Sequence, residues 1–260
     1  MLRASEAWTS ATFPDVVVFA GGRVPMLEGE RFAGAVGRQL QRLHVTGGAR
    51  IRITGPNCDV GPFLVQVNLR LDETSARIQT LTHGRGDALP VVVRLDHHIT
   101  ALRTRWQPRP WPDPARLPLD ARASGKVARR KSVPLMTVSP LRAATVMDAM
   151  DYDVHIFTDV DTGEDAIVYR AGPSGMCLAR QRSVHPPRSD ANGSGPFSVN
   201  ARPAPALTEA RAVQQVCERG LPFLFYTDPD TGRGNLLYRR YDADLGLITP
   251  GPGDTEAEAP

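Results

Sequence analysis

The chain has 260 residues, 41% of them apolar, with a net charge of +3 and a pI near 9.0. That supplies a real core for one or two domains, and no run approaches the roughly 18 consecutive apolar residues of a membrane span. Three isolated cysteines (Cys58, Cys177, Cys217) and the lack of a hydrophobic signal segment at the N-terminus argue against a disulfide-built secreted protein and for a cytoplasmic one.

Charge is distributed unevenly. Residues 1–106 carry 13 Arg against 9 acids (+4), and residues 107–134 carry 7 basic against 2 acidic (+5). Residues 135–260 carry 11 basic against 17 acidic (−6). The first half is therefore the polyanion-binding candidate. Arg supplies 29 of the 31 basic residues, which GC-rich codon usage alone would explain.

Residues 1–14 read as a flexible arm. Residues 16–20 form a buried-strand run ended by Gly21-Gly22, which opens no phosphate-loop pattern. A helix follows with Phe32, Val36, Leu40 and Leu43 on its apolar face, and Arg31, Arg38 and Arg42 on the opposite stripe. Gly34 and Gly37 weaken that helix by about 1 kcal/mol each. Residues 50–54, 63–71 and 76–82 alternate as strands with one solvated face. A second helix starts at Asp87 with Pro90 in its first turn. Its predicted apolar face is Val92, Leu95, Ile99 and Leu102, and its polar stripe holds Arg94, His98 and Arg105. The order β-α-β-β-β-α places both helices on one face of a sheet, in an α+β domain over residues 15–106.

Residues 107–130 form a Pro-rich basic linker containing Arg116, Arg122, Lys126, Arg129 and Arg130, with Lys131 just beyond it. The prolines make it an extended, semi-rigid spacer. The rest of the chain is a duplication. DVHIFTDVDTGEDAIVYR (153–170) and PFLFYTDPDTGRGNLLYR (222–239) superpose without a gap at an offset of 230 − 161 = 69 residues. Each copy has a capped helix (Ser139 or Thr208 at its start), an apolar strand, a D-x-D-T-G turn and a returning strand, with a third short strand after it. The copies span residues 131–183 and 197–250, joined by a linker at 184–196, and an acidic, disordered tail follows at 251–260.

Several patterns do not amount to sites. His97-His98 points two rings about 100° apart on a helix, with no further ligand at a suitable offset. The D-x-D-T-G turns lack the third oxygen ligand and the distal Glu of a calcium loop. The cysteines have no C-x-x-C partner, and no nucleophile–base grouping is present. Neither an enzyme, a metal site nor a cofactor is expected.

The stretch from RKSVPLM through DYDVHIFT to VYR resembles the C-terminal domain of long-form ribosome hibernation promoting factors. LYRR-Y-D-x-D-L-G-L-I-T-P does so still more, most specifically over residues 230–250. AGPSGMCLA in the first copy departs from the family's charged turn and ending. The duplication is a further departure, shared with hypoxia-associated members whose C-terminal part is enlarged. The N-terminal β-α-β-β-β-α order matches the family's ribosome-binding domain in architecture. The resemblance implies a non-enzymatic factor of dormancy and stress that binds small-subunit rRNA near the mRNA–tRNA path, inhibits translation and preserves ribosomes. It implies no membrane or small-molecule partner.

On that reading the RNA-binding residues are Arg31, Arg38, Arg42, Arg94, His98, Arg105, Arg116, Arg122, Lys126, Arg129, Arg130 and Lys131. The alternative is a nucleic-acid-binding transcriptional regulator of the sigma-factor modulation type, an annotation long attached to the family. The helices show no short Gly-containing helix-turn-helix and no base-reading Asn/Gln cluster. In the long-form family, C-terminal domains of two proteins pair and join two ribosomes. Here a connector of about twenty residues, from Val184 to about Ala206, gives a millimolar-range effective concentration, so the copies are expected to pair within one chain. Val154, Ile156, Phe157, Val168 and Tyr169 would meet Phe223, Phe225, Tyr226, Leu237 and Tyr238, giving a monomer with an internal pseudo-dimer. Met176-Cys177, where the second copy has Leu245-Gly246, suits an asymmetric pair.

Overall fold

The computed structural model describes residues 6–22, 24–55, 63–82, 86–109, 125–171, 175–188, 197–240 and 244–252. It divides into two compact α+β units. One is built on Met1–Gln107 and includes Asp148–Tyr152; the other is built on Leu117–Met147 and Asp153–Pro260.

In the first unit, β1 (Glu6–Thr9), β2 (Val16–Gly21), β3 (Ala49–Thr54), β4 (Leu64–Leu71) and β5 (Thr74–Leu81) form one sheet in chain order. Only β2 and β3 are parallel, and α1 (Met26–Arg42) makes the crossover that this pairing requires. Strict alternation puts Ile51, Ile53, Val65, Val67 and Ile78, all 0% exposed, on one face. They pack there with Phe32, Val36 and Leu40 of α1 and with Leu95 and Ile99 of α2 (Leu89–Leu102). The predicted strand–helix order is present, with one strand added.

That strand corrects the expected N-terminal arm, since residues 6–9 pair with β2 as β1. The Trp8 ring lies so close to Gly29 that a Cβ there would sit 2.2 Å from it, and Phe13 lies as tightly on Gly37 (2.3 Å). Trp8 Nε1 and Ser10 Oγ both donate to the Glu30 carboxylate, at 2.8 and 3.1 Å. Glycine in α1 therefore admits aromatic rings that tie the arm down.

The second unit interleaves the two copies. The first contributes β6 (Val127–Val133), β7 (Thr137–Val138), α3 (Pro140–Ala149), β8 (Val154–Asp159), β9 (Asp165–Tyr169) and β10 (Cys177–Arg180). The second contributes β11 (Ser198–Val199), α4 (Glu209–Arg219), β12 (Phe223–Thr227), β13 (Gly234–Arg239) and β14 (Leu245–Pro250). One sheet runs β11-β10-β9-β8-β7 and the other β12-β13-β14-β6, so each copy's leading strand completes the other copy's sheet. The exchange is reciprocal in register. Arg130 sits opposite Leu247, and 69 residues on from Arg130, Val199 sits opposite Leu178. Likewise Thr137 pairs with Thr158 as Ala206 pairs with Thr227.

Helix ends follow their residues. Ser139 Oγ accepts from the Arg142 N–H at 3.3 Å, whereas Thr208 makes no side-chain cap bond. Gly220 ends α4 in the left-handed region (φ 63°), and Leu221 N donates back to Val216 O at 3.1 Å. The expected linker at 107–130 gives up its last four residues to β6. Residues 110–124, 189–196 and 253–260, which include Arg116 and Arg122, lie outside the described residues.

Candidate nucleic-acid interface and the paired copies

The α1 stripe is on the surface. Arg38 is exposed. Arg31 is half exposed and donates to Glu28 at 2.8 Å, and the buried Glu28 carboxylate also accepts from Gly86 N at 2.7 Å. Arg42 donates to Asp96 at 2.6 Å and to Gln39 Oε1 at 3.2 Å. Each guanidinium has five N–H donors in a fork, so these bonds hold Arg31 and Arg42 in place and leave donors for a phosphate. Arg105 is exposed just past the end of α2, beside exposed Arg103, which sequence reasoning missed.

The α2 stripe is otherwise a correction. Leu95 and Ile99 hold the expected apolar face and Leu102 packs beside them, but Val91 (0% exposed), not Val92, continues it. His98, expected on the opposite stripe, is also inside, where Nε2 lies 2.9 Å from Ala149 O. Arg94 is held within the first unit by Asp151, with Nη2–Oδ1 at 2.7 Å and side-chain exposures of 12% and 0%. Arg94 and His98 are thus packing groups in this structure. A stripe of arginines at helical spacing does not reveal a carboxylate 57 residues away.

The sheet face away from the helices is a second basic surface that sequence reasoning left as merely solvated. Arg50 and Arg52 on β3 and Arg70 on β4 are exposed. Amides flank them in register: Arg50 lies beside Asn68, and Arg52 beside Gln66. The R-I-R-I-T alternation was the signal that could have found it.

The basic end of the expected spacer is a strand. Within β6, Arg129 and Arg130 are exposed and Arg130 forms an ion pair with Glu209. Lys126 immediately precedes β6, and Lys131 is half-buried within it.

The copies share one apolar cluster built from equivalent positions: Ile156 with Phe225, Ile167 with Leu236, Ala179 with Ile248, and Val154 with Phe223. Tyr169 packs edge-on to Phe223, their centroids 5.3 Å apart. Four of the residues expected at this contact belong to the other strand face. Tyr226 and Leu237 pack with α4, and Phe157 and Val168 occupy the matching positions of the first copy. Successive strand residues point to opposite faces, so whole strands cannot pair. Tyr238 is on the shared side by this alternation and lies over Gly246, where a Cβ would be 2.4 Å from its ring.

Burial pushes two groups in the first copy far from their usual ranges. His155 is held down to about 4, and Tyr169 is raised to about 12, with the nearby Cys177 adding to the rise. Among the described residues no helix is long and apolar enough to cross a membrane, and no cluster of three or more His, Cys, Asp or Glu is suited to a metal.

The described residues thus form an N-terminal sheet with two helices and two interlocked small α+β copies. Residues 122–176 match the family described as Sigma 54 modulation/S30EA ribosomal protein C terminus, so the match falls on the first copy. Proteins of two Mycobacterium tuberculosis strains, CDC 1551 / Oshkosh and H37Rv, both named Dormancy associated translation inhibitor, are 54% identical over 98% of this chain and 95% of their own length. The chain belongs to the ribosome hibernation factor family, together with these mycobacterial relatives.

Proposed function

We propose that this protein is a cytoplasmic ribosome hibernation factor that binds small-subunit rRNA along the mRNA–tRNA path, inhibits translation by occupancy and preserves idle ribosomes. The observation that carries the reading is the first unit's exposed arginine set, Arg31, Arg38, Arg42 and Arg105, in a chain related end to end to proteins named for translation inhibition. Guanidinium forks engage phosphate oxygens and release counterions, which suits folded RNA read by shape and backbone. Arg50, Arg52 and Arg70 extend the same chemistry to the open sheet face, and Arg129 and Arg130 extend it to β6.

The copies' mutual burial supports action on single ribosomes. Their apolar faces already cover each other, and each leading strand is spent inside the same chain. The protein is then a monomer whose pairing faces are already taken within its own chain, so that it joins no second ribosome. Co-sedimentation tests the binding step: the protein should pellet with small subunits at physiological salt and be released steeply as salt rises. Equal or tighter binding to naked duplex DNA would instead favour a transcriptional role.

A further inference from the structure

The two copies differ most tellingly at one pair of neighbouring positions. The first copy has Glu164-Asp165 where the second has Arg233-Gly234. Across the pseudo-twofold these residues meet. The Asp165 carboxylate, 3% exposed, accepts from Arg233 Nε at 2.8 Å and Arg233 Nη2 at 3.1 Å. It also accepts from the Gly234 backbone N–H at 2.8 Å and from Thr158 Oγ1 at 3.2 Å. Gly234 is needed for space. A Cβ there would lie 2.7 Å from Asp165 Cβ and 2.7 Å from the Phe225 ring, the group that replaces Ile156 in the second copy.

We propose that Asp165 and Glu164, set against Arg233 and Gly234, form a recognition code that makes each copy fit the other and reject its own like. Two first copies paired in this geometry would bring Asp165 against Asp165, with Glu164 in place of the neutralising arginine. Two carboxylates would face each other where one fully satisfied carboxylate now sits. Two second copies would bring two arginines together with no carboxylate between them. Buried carboxylates oppose the first wrong pairing, and two half-exposed arginines without a counter-charge disfavour the second, even though the apolar faces match. The reciprocal contact is missing by design of the sequence: Glu164 faces no arginine of the second copy and turns to its own chain, accepting from Arg182 N at 2.9 Å and Ser183 N at 3.0 Å. The partner that fits the first copy's face is therefore a surface carrying Arg-Gly at this register, and the chain carries that surface itself.

The test uses the full chain. A variant carrying Phe225→Ile, Arg233→Glu and Gly234→Asp gives both copies the first copy's residues. A second variant adds Ile156→Phe, Glu164→Arg and Asp165→Gly, exchanging the code between copies. The first variant should lose about 5–10 °C in the melting transition of the second unit, and the exchanged variant should recover at least half of that loss while remaining a monomer by light scattering. Unchanged melting in the first variant would overturn the proposal, and so would an exchanged variant that melts no higher than the first.

Discussion

Asp151 and Gly220 occupy equivalent places in the two copies, and both are left-handed, with φ of 53° and 63°. Glycine takes that conformation freely, whereas an L-residue gives up about 1–2 kcal/mol to hold it. Asp151 accepts the cost because its carboxylate has a task within the first unit: it accepts from Arg94 Nη2 at 2.7 Å and from the backbone N–H of Gln79 at 2.8 Å. Asp151→Gly should relieve the backbone yet remove a carboxylate of 0% exposure from its ion pair with Arg94, and breaking such a pair costs about 3–5 kcal/mol. The expected net result is a loss of about 2–3 kcal/mol in denaturant unfolding. A neutral effect would show that the pair only offsets the backbone cost, and a gain of about 1–2 kcal/mol would show that it contributes nothing.

The arginines of the first unit separate into two kinds, which equilibrium measurements distinguish. Arg38→Gln and Arg105→Gln should leave unfolding within about 0.5 kcal/mol of the parent, as exposed sites do. They should weaken small-subunit binding and flatten its dependence on log salt by about one contact each. Arg94→Gln should instead lower stability, with any binding loss following the folded fraction.

Acid should loosen the first copy through His155. Its folded value of about 4 lies below the ordinary 6.5, so between those pH values the unfolded chain binds a proton that the folded chain does not. Stability then rises with pH across that window and is lost as pH falls from 6.5 towards 4, by up to about 3 kcal/mol. The second copy carries Leu224 at this position. His155→Leu should abolish that part of the pH dependence, measured as the midpoint of urea unfolding at pH 7 and pH 5.

Arg180 and Asp159 form a second pair closed from solvent, Nε–Oδ2 2.5 Å with side chains 1% and 0% exposed. Arg180 Nη1 also donates to His185 O at 2.6 Å, and the second copy has Thr249 where this arginine stands. Arg180→Ala should cost about 3–5 kcal/mol, because it leaves the Asp159 carboxylate buried without its counter-charge.

Much of the architecture was legible because local patterns were unambiguous. R-I-R-I-T alternates cleanly, and Phe32, Val36 and Leu40 repeat at helical spacing; all three are buried. The 69-residue offset exposed the duplication before any contact was known. What escaped depends on distant partners. β6 reads as a basic spacer because its strand partner, β14, lies more than a hundred residues away. Val91 in place of Val92 on the core face of α2 was not legible because the two are equally apolar and only packing chooses between them. Ile156 and Phe157 are neighbours on β8 and both apolar, so composition could not separate the shared face from the helix face. The role of Asp165 was not legible either, because Arg233 and Gly234 come beside it only when the copies pair.

If the two copies satisfy each other within one chain, the protein leaves ribosomes unjoined. Sucrose-gradient sedimentation of purified ribosomes with a stoichiometric amount of the full-length protein tests this most directly. The account predicts that the protein co-migrates with single ribosomes and adds no faster peak. A robust ribosome-dimer peak that depends on the protein would contradict it.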